Sequence, residues 1–193
     1  MASEIKGKKD ANMSYPVVTI EFTGCGDNKG VYTENLFVPN SEKDMERRKI
    51  KNSAGHESEV PSNFENFQFT LMQIVEVINP TGAQKIKDNA SKLKTIDQFI
   101  DLIVKALTGK EKVETNLKLV GRVNNGVTYA ALPNACGINK KGEIFPNNFI
   151  GDNLFFSNYE ITKQKEYRNA KPTSMDKEDE VGGEEVDLDN IEL

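Results

Sequence analysis

Histidine and cysteine, which are frequent nucleophiles, general bases and metal ligands, are rare in this sequence. The chain has one histidine, His56, and two cysteines, Cys25 and Cys136, with no CxxC pair and no HExxH motif. The stretch GCGDNKG around Cys25 lacks the third glycine of a dinucleotide-binding fingerprint, and no phosphate-binding loop of the GxxxxGKS or GxxxxGKT type occurs. We therefore predict a protein with no enzymatic activity, no metal and no cofactor, in which both cysteines are free thiols.

The stretch ETNLKLVGRVNNGVTYAALPN has the clearest pattern for binding. Asn125-Gly126 lies between two alternating segments, which is typical of a hairpin with a two-residue type I′ turn. In that register, Arg122 lies directly opposite Tyr129. Because side chains alternate between faces, one face collects Lys118, Val120, Arg122, Tyr129 and Ala131. The other face is predicted to point to the core and collects Leu117, Leu119, Val123, Ala130 and Leu132.

The hairpin face that carries Arg122 and Tyr129 has the chemistry of a surface for single-stranded nucleic acid. An aromatic ring offers a plane on which an unpaired base stacks, and nearby cations neutralise phosphates. The predicted nucleic-acid-binding residues are cations and rings on or near the strands: Lys118, Arg122, Tyr129, Tyr32, Lys140 and Lys141. The alternative is that Arg122 and Tyr129 form an ordinary cross-strand pair on a solvated sheet face.

The C-terminal segment, residues 176–193, concentrates negative charge. It contains nine acidic residues and one Lys, a net charge of −8, whereas residues 1–175 carry 24 basic and 21 acidic groups, a net charge of +3. An acidic segment tethered to a cationic body competes with nucleic acid for the same cations. Its final stretch, VDLDNIEL, mixes acidic and apolar residues, and we predict that it recruits partner proteins through Asp187, Leu188, Asp189, Ile191, Glu192 and Leu193.

Strands and helices must position these residues. YPVVTIEFTG and VYTENLFVP are rich in β-branched and aromatic residues and predict a first hairpin. Ser62 and Thr95, the latter with Gln98 at capping-box spacing, mark the starts of two amphipathic helices, which NPTG and Gly109 end. The stretch LFFSNYEI is predicted to be a last strand.

Length and composition indicate one compact domain with polar ends. The chain has 193 residues, of which 37% are hydrophobic. We predict a flexible N-terminal arm over 1–14, a domain over 15–163 with a long loop at 40–63 and a helical block at 62–109, and a linker and acidic tail over 164–193. No apolar stretch approaches the ~20 residues that span a bilayer, and the N-terminal residues contain no secretory signal, so we expect a cytoplasmic protein without membrane contact.

This combination of features resembles the single-stranded DNA-binding proteins of bacteria and phages. The resemblance rests on the β-rich domain, the hairpin with Arg122 and Tyr129, and the acidic tail from Asp176 to Leu193. It implies a mainly β (α+β) fold: a small antiparallel OB-like barrel with a helical insertion and a disordered acidic tail. It also implies non-sequence-specific binding of single-stranded DNA in replication or recombination, with a tail that competes with DNA and recruits replication proteins. A phage-encoded member would act in the host cytoplasm, as a monomer or a homo-oligomer.

Two points are open in this interpretation. An OB fold places its helix between the third and fourth strands, whereas the patterns here put the helices after the second strand. A first strand near SEIKGKKDANMS would restore the usual order.

The alternative function, from a different class, is a non-enzymatic virion-assembly or replication adaptor protein that uses the same tail and sheet to contact other proteins.

Overall fold

The first sheet precedes the helices and contains three antiparallel strands. The computed structural model describes residues 2–6, 14–25, 29–51, 55, 57–110, 113–124 and 127–169. The strands are β1 (Ala2–Lys6), β2 (Ser14–Thr23) and β3 (Val31–Phe37). β2 and β3 form the predicted hairpin, with Val18 paired to Leu36 and Phe22 paired to Tyr32. β1 lies within the segment predicted as an arm and pairs with β2, so the first sheet has three strands in the order β1-β2-β3.

Residues 40–63 were predicted to form one long loop, which is wrong in part. They contain a short helix, α1 (Glu42–Met45), and an antiparallel hairpin of β4 (Arg48–Lys51) and β5 (Glu57–Val60). Arg47 lies 3.5 Å from Glu59 within this excursion and 2.7 Å from Glu65, so the second ion pair holds the excursion to the helical block. All four residues of β4 are exposed, so the hairpin has no apolar alternation that the sequence could reveal.

The helical block begins at the residues that the capping patterns predicted. α2 (Asn63–Ile78) follows Ser62, whose hydroxyl accepts the Glu65 N–H at 3.0 Å while the Glu65 carboxylate accepts the Ser62 N–H at 2.9 Å. α4 (Ile96–Leu107) follows Thr95, whose hydroxyl accepts the Gln98 N–H at 3.3 Å. Gly109, just beyond α4, has a φ of 78°, the left-handed conformation in which a helix commonly terminates.

The helix α3 (Pro80–Asn89) was not predicted, and a 3₁₀ turn at Ala90–Lys92 extends it. NPTG ends α2 as predicted, but it also starts α3. Pro80 occupies the first turn, where its missing N–H costs nothing, and the Asn79 side chain accepts the Gly82 N–H at 3.0 Å. The breaker signal therefore separates two helices.

Two small hairpins and a final helix follow the block. β6 (Val120–Asn124) pairs with β7 (Val127–Ala131) in the predicted register, although the turn residues Asn125 and Gly126 lie outside the described residues. β8 (Cys136–Ile138) pairs with β9 (Ile144–Pro146). The fold is thus mixed α/β with four small antiparallel sheets, and among the described strands no sheet closes into the predicted OB-like barrel.

The predicted last strand, LFFSNYEI, is wrong. Residues 154–157 are irregular, and α5 (Asn158–Asn169) begins inside the predicted strand. The Ser157 hydroxyl accepts the Glu160 N–H at 3.2 Å, and the Glu160 carboxylate accepts the Ser157 N–H at 2.7 Å. This reciprocal pair is a capping box, which favours a helix more strongly than three aromatic residues favour a strand. α5 also occupies the first part of the predicted linker.

Two apolar clusters hold the elements together, and α2 contributes to both. The first packs the inner face of β2 on the helices and includes Val18, Leu71, Val75 and Ile103. The second packs Ile74 of α2 against the segment after β7 and the segment after β9. Its buried members are Ile74, Leu132, Ala135, Phe149 and Ile150. Burial of a large apolar side chain contributes about 1.5–3 kcal/mol, so the second cluster anchors the β6–β7 hairpin to the helical block.

Candidate functional site

The centre of the candidate site is the cross-strand pair on the β6–β7 hairpin. Arg122 lies directly opposite Tyr129, as predicted. Both residues are exposed, and 46% of Tyr129 is open to solvent. A ring of which nearly half is accessible can take a planar ligand on its free side without rearrangement of the core. The hairpin therefore offers an aromatic plane beside a cation.

Arg122 is held in place by the end of β7. Its Nη2 donates to the Leu132 carbonyl at 3.0 Å and to the Asn134 side-chain oxygen at 3.3 Å. These bonds use the two N–H groups of one nitrogen, while a guanidinium has five in total. The N–H groups on Nη1 and Nε are the ones that can reach a phosphate. Arg122 is thus an oriented cation.

Tyr32 joins the first sheet to the hairpin. Its hydroxyl donates to the Glu34 carboxylate and accepts the Leu132 N–H at 2.9 Å, while its ring stacks on Phe22 with centroids 6.2 Å apart. Burial raises the pKa of the Tyr32 phenol far above its ordinary value, and the hydrogen bond to Glu34 raises it further. The predicted role of Tyr32 in nucleic-acid binding stays a prediction, but its ring is already packed and its hydroxyl is already bonded.

Lys118 does not lie on the open hairpin face where the strand alternation placed it. Only 2% of its side chain is exposed, and its nitrogen lies 3.1 Å from the Glu160 carboxylate of α5. The nitrogen also donates to the Phe155 carbonyl at 3.2 Å. The alternation fails because β6 begins at Val120, so Lys118 precedes the regular strand. A direct contact between Lys118 and a phosphate stays a prediction, and it would require the ion pair to open.

The Glu160 carboxylate is the partner that keeps the Lys118 ammonium inside the protein. Burial alone would raise the pKa of Glu160, but the hydrogen bonds from Ser157 and the contact with Lys118 together hold that pKa below its ordinary value. The carboxylate is therefore charged at neutral pH. One ion pair thus fastens the first turn of α5 to the base of the hairpin.

A second contact fastens α5 to the free edge of β6. The Gly121 N–H donates to Oε1 of Gln164 at 3.1 Å, and Nε2 of Gln164 donates to the Gly121 carbonyl at 3.4 Å. A Cβ at position 121 would lie 2.9 Å from Oε1 of Gln164, so a side chain there would push the Gln164 amide away from the strand. The amide of Gln164 pairs with the strand backbone as a neighbouring strand would, and α5 covers an edge that would otherwise be open to another chain.

Phe155 and Phe156 were not among the predicted site residues. They are exposed by 72% and 48%, and the Lys118 nitrogen lies 6.0 Å and 5.7 Å from their ring centroids. The SNYE capping box that follows them was the available signal, because it places the two rings in the loop before a helix. The base of the hairpin therefore carries two further accessible aromatic planes.

Lys140 and Lys141 lie in an exposed turn between β8 and β9, and their role as nucleic-acid-binding cations stays a prediction. The Asn139 side-chain oxygen accepts the Lys141 N–H at 2.8 Å, and Gly142 has a φ of 80°. Nη1 of Arg47 donates to the Gly142 carbonyl at 3.0 Å. The turn is therefore ordered and presents two ammonium groups to solvent.

Other predicted sites lie outside the described residues or carry little reactivity. The tail residues Asp187, Leu188, Asp189, Ile191, Glu192 and Leu193 all lie outside the described residues, as does His56. Cys25 and Cys136 are free thiols, as predicted. Burial, and secondly the charge of Glu65, raises the pKa of the Cys136 thiol to about 11, which keeps it protonated and unreactive.

Across the described ranges, no group of three His, Cys, Asp or Glu side chains could hold a metal ion. No helix in the same part of the chain is long and apolar enough to cross a membrane. No protein-family model matches the chain, and comparisons with curated proteins and with solved structures found no match.

Proposed function

We propose that the protein binds single-stranded DNA without sequence specificity, with the β6–β7 hairpin as the centre of the interface. The observation that carries this proposal is the exposed pair of Arg122 and Tyr129, held in cross-strand register. Unpaired bases present their faces, and each face can stack on an aromatic ring whatever the base. Phosphates of the same strand lie beside the stacked base, within reach of the guanidinium.

The rings near the base of the hairpin extend this interface. Phe155 and Phe156 add two exposed aromatic planes, and the buried Lys118 keeps their loop in place through the Phe155 carbonyl. Base stacking on an aromatic side chain contributes about 1–3 kcal/mol per base. Lys140 and Lys141 supply further positive charge on the β8–β9 turn. In this proposal Lys118 positions the aromatic loop, while Arg122, Lys140 and Lys141 neutralise phosphates.

The acidic segment, residues 176–193, regulates binding in this proposal. With a net charge of −8 it repels DNA and competes for the cations of a body that carries +3. We expect the protein without residues 176–193 to bind a labelled oligo(dT) more tightly than the full chain does at low salt. The difference should shrink as the salt concentration rises, because screening weakens both competitors. Fluorescence anisotropy at two salt concentrations measures both effects.

A charge-neutral tail provides the control for this experiment. A full-length variant in which the nine acidic residues of 176–193 become Asn or Gln keeps the length of the tail and removes its charge. It should bind oligo(dT) as tightly as the truncated protein. Equal affinities of all three proteins at low salt would show that the tail does not compete with DNA.

The second candidate function is a protein adaptor. It is favoured by one observation, an apolar groove of about 760 Å³ on the helical block, at a distance in sequence from the hairpin. Grooves of this kind take apolar side chains of peptides. If the truncated protein binds no oligo(dT) even at low salt, the adaptor function replaces the proposed one, and the Arg122 and Tyr129 face becomes a protein contact.

A further inference from the structure

The helical groove lies between α2, α3, the 3₁₀ turn and the start of α4, and α1 and β9 each contribute one lining residue. Its lining is mainly apolar and includes Met45, Phe64, Met72, Leu93 and Ile96. Met45 is 49% exposed, so its side chain is accessible to a ligand in the groove. Two methionines in the lining give the groove side chains that adapt their shape to a ligand.

Two of the polar side chains that line the groove, Gln73 and Thr95, already have partners. The Gln73 amide donates to the Ala135 carbonyl at 2.6 Å and accepts the Phe149 N–H at 3.4 Å. Thr95 accepts the cap bond of α4. A polar small molecule needs several unpaired polar groups that converge on it, and these side chains are engaged elsewhere. The groove therefore suits apolar side chains on a chain whose polar groups stay in water.

Three charged residues line the groove and form its rim, with a net charge of +1: Lys87, Lys94 and Glu76. Lys87 lies 2.6 Å from Glu76 of α2, and this pair bridges the two walls. An occupant with apolar side chains and negative charge would match both the floor and the rim.

We propose that this groove binds the C-terminal stretch 186–193 of the same molecule, VDLDNIEL. It holds four apolar residues, three acidic residues and no basic residue. Residues 170–185 connect it to α5 and can extend up to about 50 Å, whereas a compact domain of this size has a radius of gyration of about 15 Å. The connection therefore reaches any face of the body. The inference does not depend on DNA binding.

The direct test uses a fluorescent peptide of residues 175–193, titrated with the full chain and with the chain that lacks residues 176–193. The truncated protein still contains every described helix and strand. The truncated protein should bind the peptide. The full chain should bind the peptide at least about tenfold more weakly, because its own segment occupies the groove at a high effective concentration. Equal affinity of the two proteins, or no binding to either, would overturn the proposal.

Matched variants separate specific docking from charge attraction. A peptide with Val186, Leu188, Ile191 and Leu193 changed to Ser keeps every carboxylate and should bind about tenfold more weakly. Lys94→Glu on the rim should weaken peptide binding severalfold. Lys92 is exposed two residues away and does not line the groove, so Lys92→Glu should change the affinity by no more than about twofold. Equal effects of the two lysine variants, or equal binding of the Ser peptide, would contradict docking in the groove.

Two substitutions of exposed apolar residues test whether the apolar lining of the groove contributes to peptide binding. Met45→Ser should weaken peptide binding, and Ile50→Ser should not, although both residues are 49% exposed. Ile50 lies on β4 and does not line the groove.

Sedimentation of the full chain tests whether the groove is instead occupied by the C-terminal segment of a second copy. A concentration-dependent dimer that disappears on truncation would overturn docking within one molecule and place the segment in the groove of a second copy.

Discussion

Lys118→Met should lower the free energy of unfolding by about 3 kcal/mol, because it leaves the Glu160 carboxylate in a largely buried site without its cation. The Lys118 side chain is 2% exposed and that of Glu160 is 14% exposed, so water can replace little of the lost contact. Urea denaturation at pH 7 measures the change. The double variant Lys118→Met with Glu160→Gln should recover most of the loss, since neither charge then remains buried.

The chain offers a matched control in an exposed ion pair. Lys51 lies 3.2 Å from Glu57, but the two side chains are 70% and 53% exposed. Lys51→Met should therefore change the free energy of unfolding by no more than about 0.5 kcal/mol. Similar losses for Lys118→Met and Lys51→Met would show that the buried pair does not fasten α5 to the hairpin.

The same pair should give a defined dependence on pH. The pKa of Glu160 is lower in the folded protein than its ordinary value, so its contribution to stability is complete above about pH 4.3, the ordinary pKa of a glutamate. The contribution is lost as the pH falls through the lowered value. The stability difference between the wild-type protein and Glu160→Gln should thus be constant near neutral pH and decrease in acid. An unchanged difference in acid would contradict the lowered pKa.

Tyr129→Ala should weaken binding to oligo(dT) by about 1–3 kcal/mol, roughly 5-fold to 150-fold, because it removes the plane on which a base stacks. Tyr129→Phe keeps that plane and should bind like the wild-type protein. Arg122→Ala should reduce the slope of log affinity against log salt by about one, since one phosphate contact is lost. Anisotropy titrations at several salt concentrations give both values.

Phe37→Ala provides the control for loss of an exposed ring. Phe37 is 57% exposed, but it ends β3 and lies outside the proposed interface. This variant should bind oligo(dT) normally. Melting curves must show that Tyr129→Ala and Arg122→Ala remain folded, because Arg122 also holds the end of β7. If both variants bind oligo(dT) as the wild-type protein does, Arg122 and Tyr129 are an ordinary cross-strand pair.

Local signals in the sequence predicted the parts of the fold that depend on neighbouring residues. Asn125-Gly126 predicted the register that places Arg122 opposite Tyr129, and Ser62 and Thr95 predicted two helix starts. In each case the determining contact spans only a few residues. The helix after NPTG was missed because the same Asn-Pro pair ends one helix and caps the next.

Contacts between distant residues account for most of what the sequence did not predict. Strand alternation placed Lys118 in solvent, but its partner Glu160 lies 42 residues away on a helix that was taken for a strand. Tyr32 was predicted to bind nucleic acid, but its hydroxyl already accepts the N–H of Leu132, which lies 100 residues away in the sequence. The absence of a closed barrel among the described strands likewise depends on long-range pairing, which no local pattern specifies.

Competition between single and double strands is the most direct measurement of the proposed function. Labelled oligo(dT), bound to the protein without residues 176–193, is challenged with unlabelled single strand or with duplex of equal length at low salt. Duplex has the higher charge density, so a surface that acts through charge alone prefers it, whereas stacking on Tyr129 requires unpaired bases. We expect the single strand to displace the label at a clearly lower concentration. Equal or better competition by the duplex would contradict single-strand recognition by the hairpin.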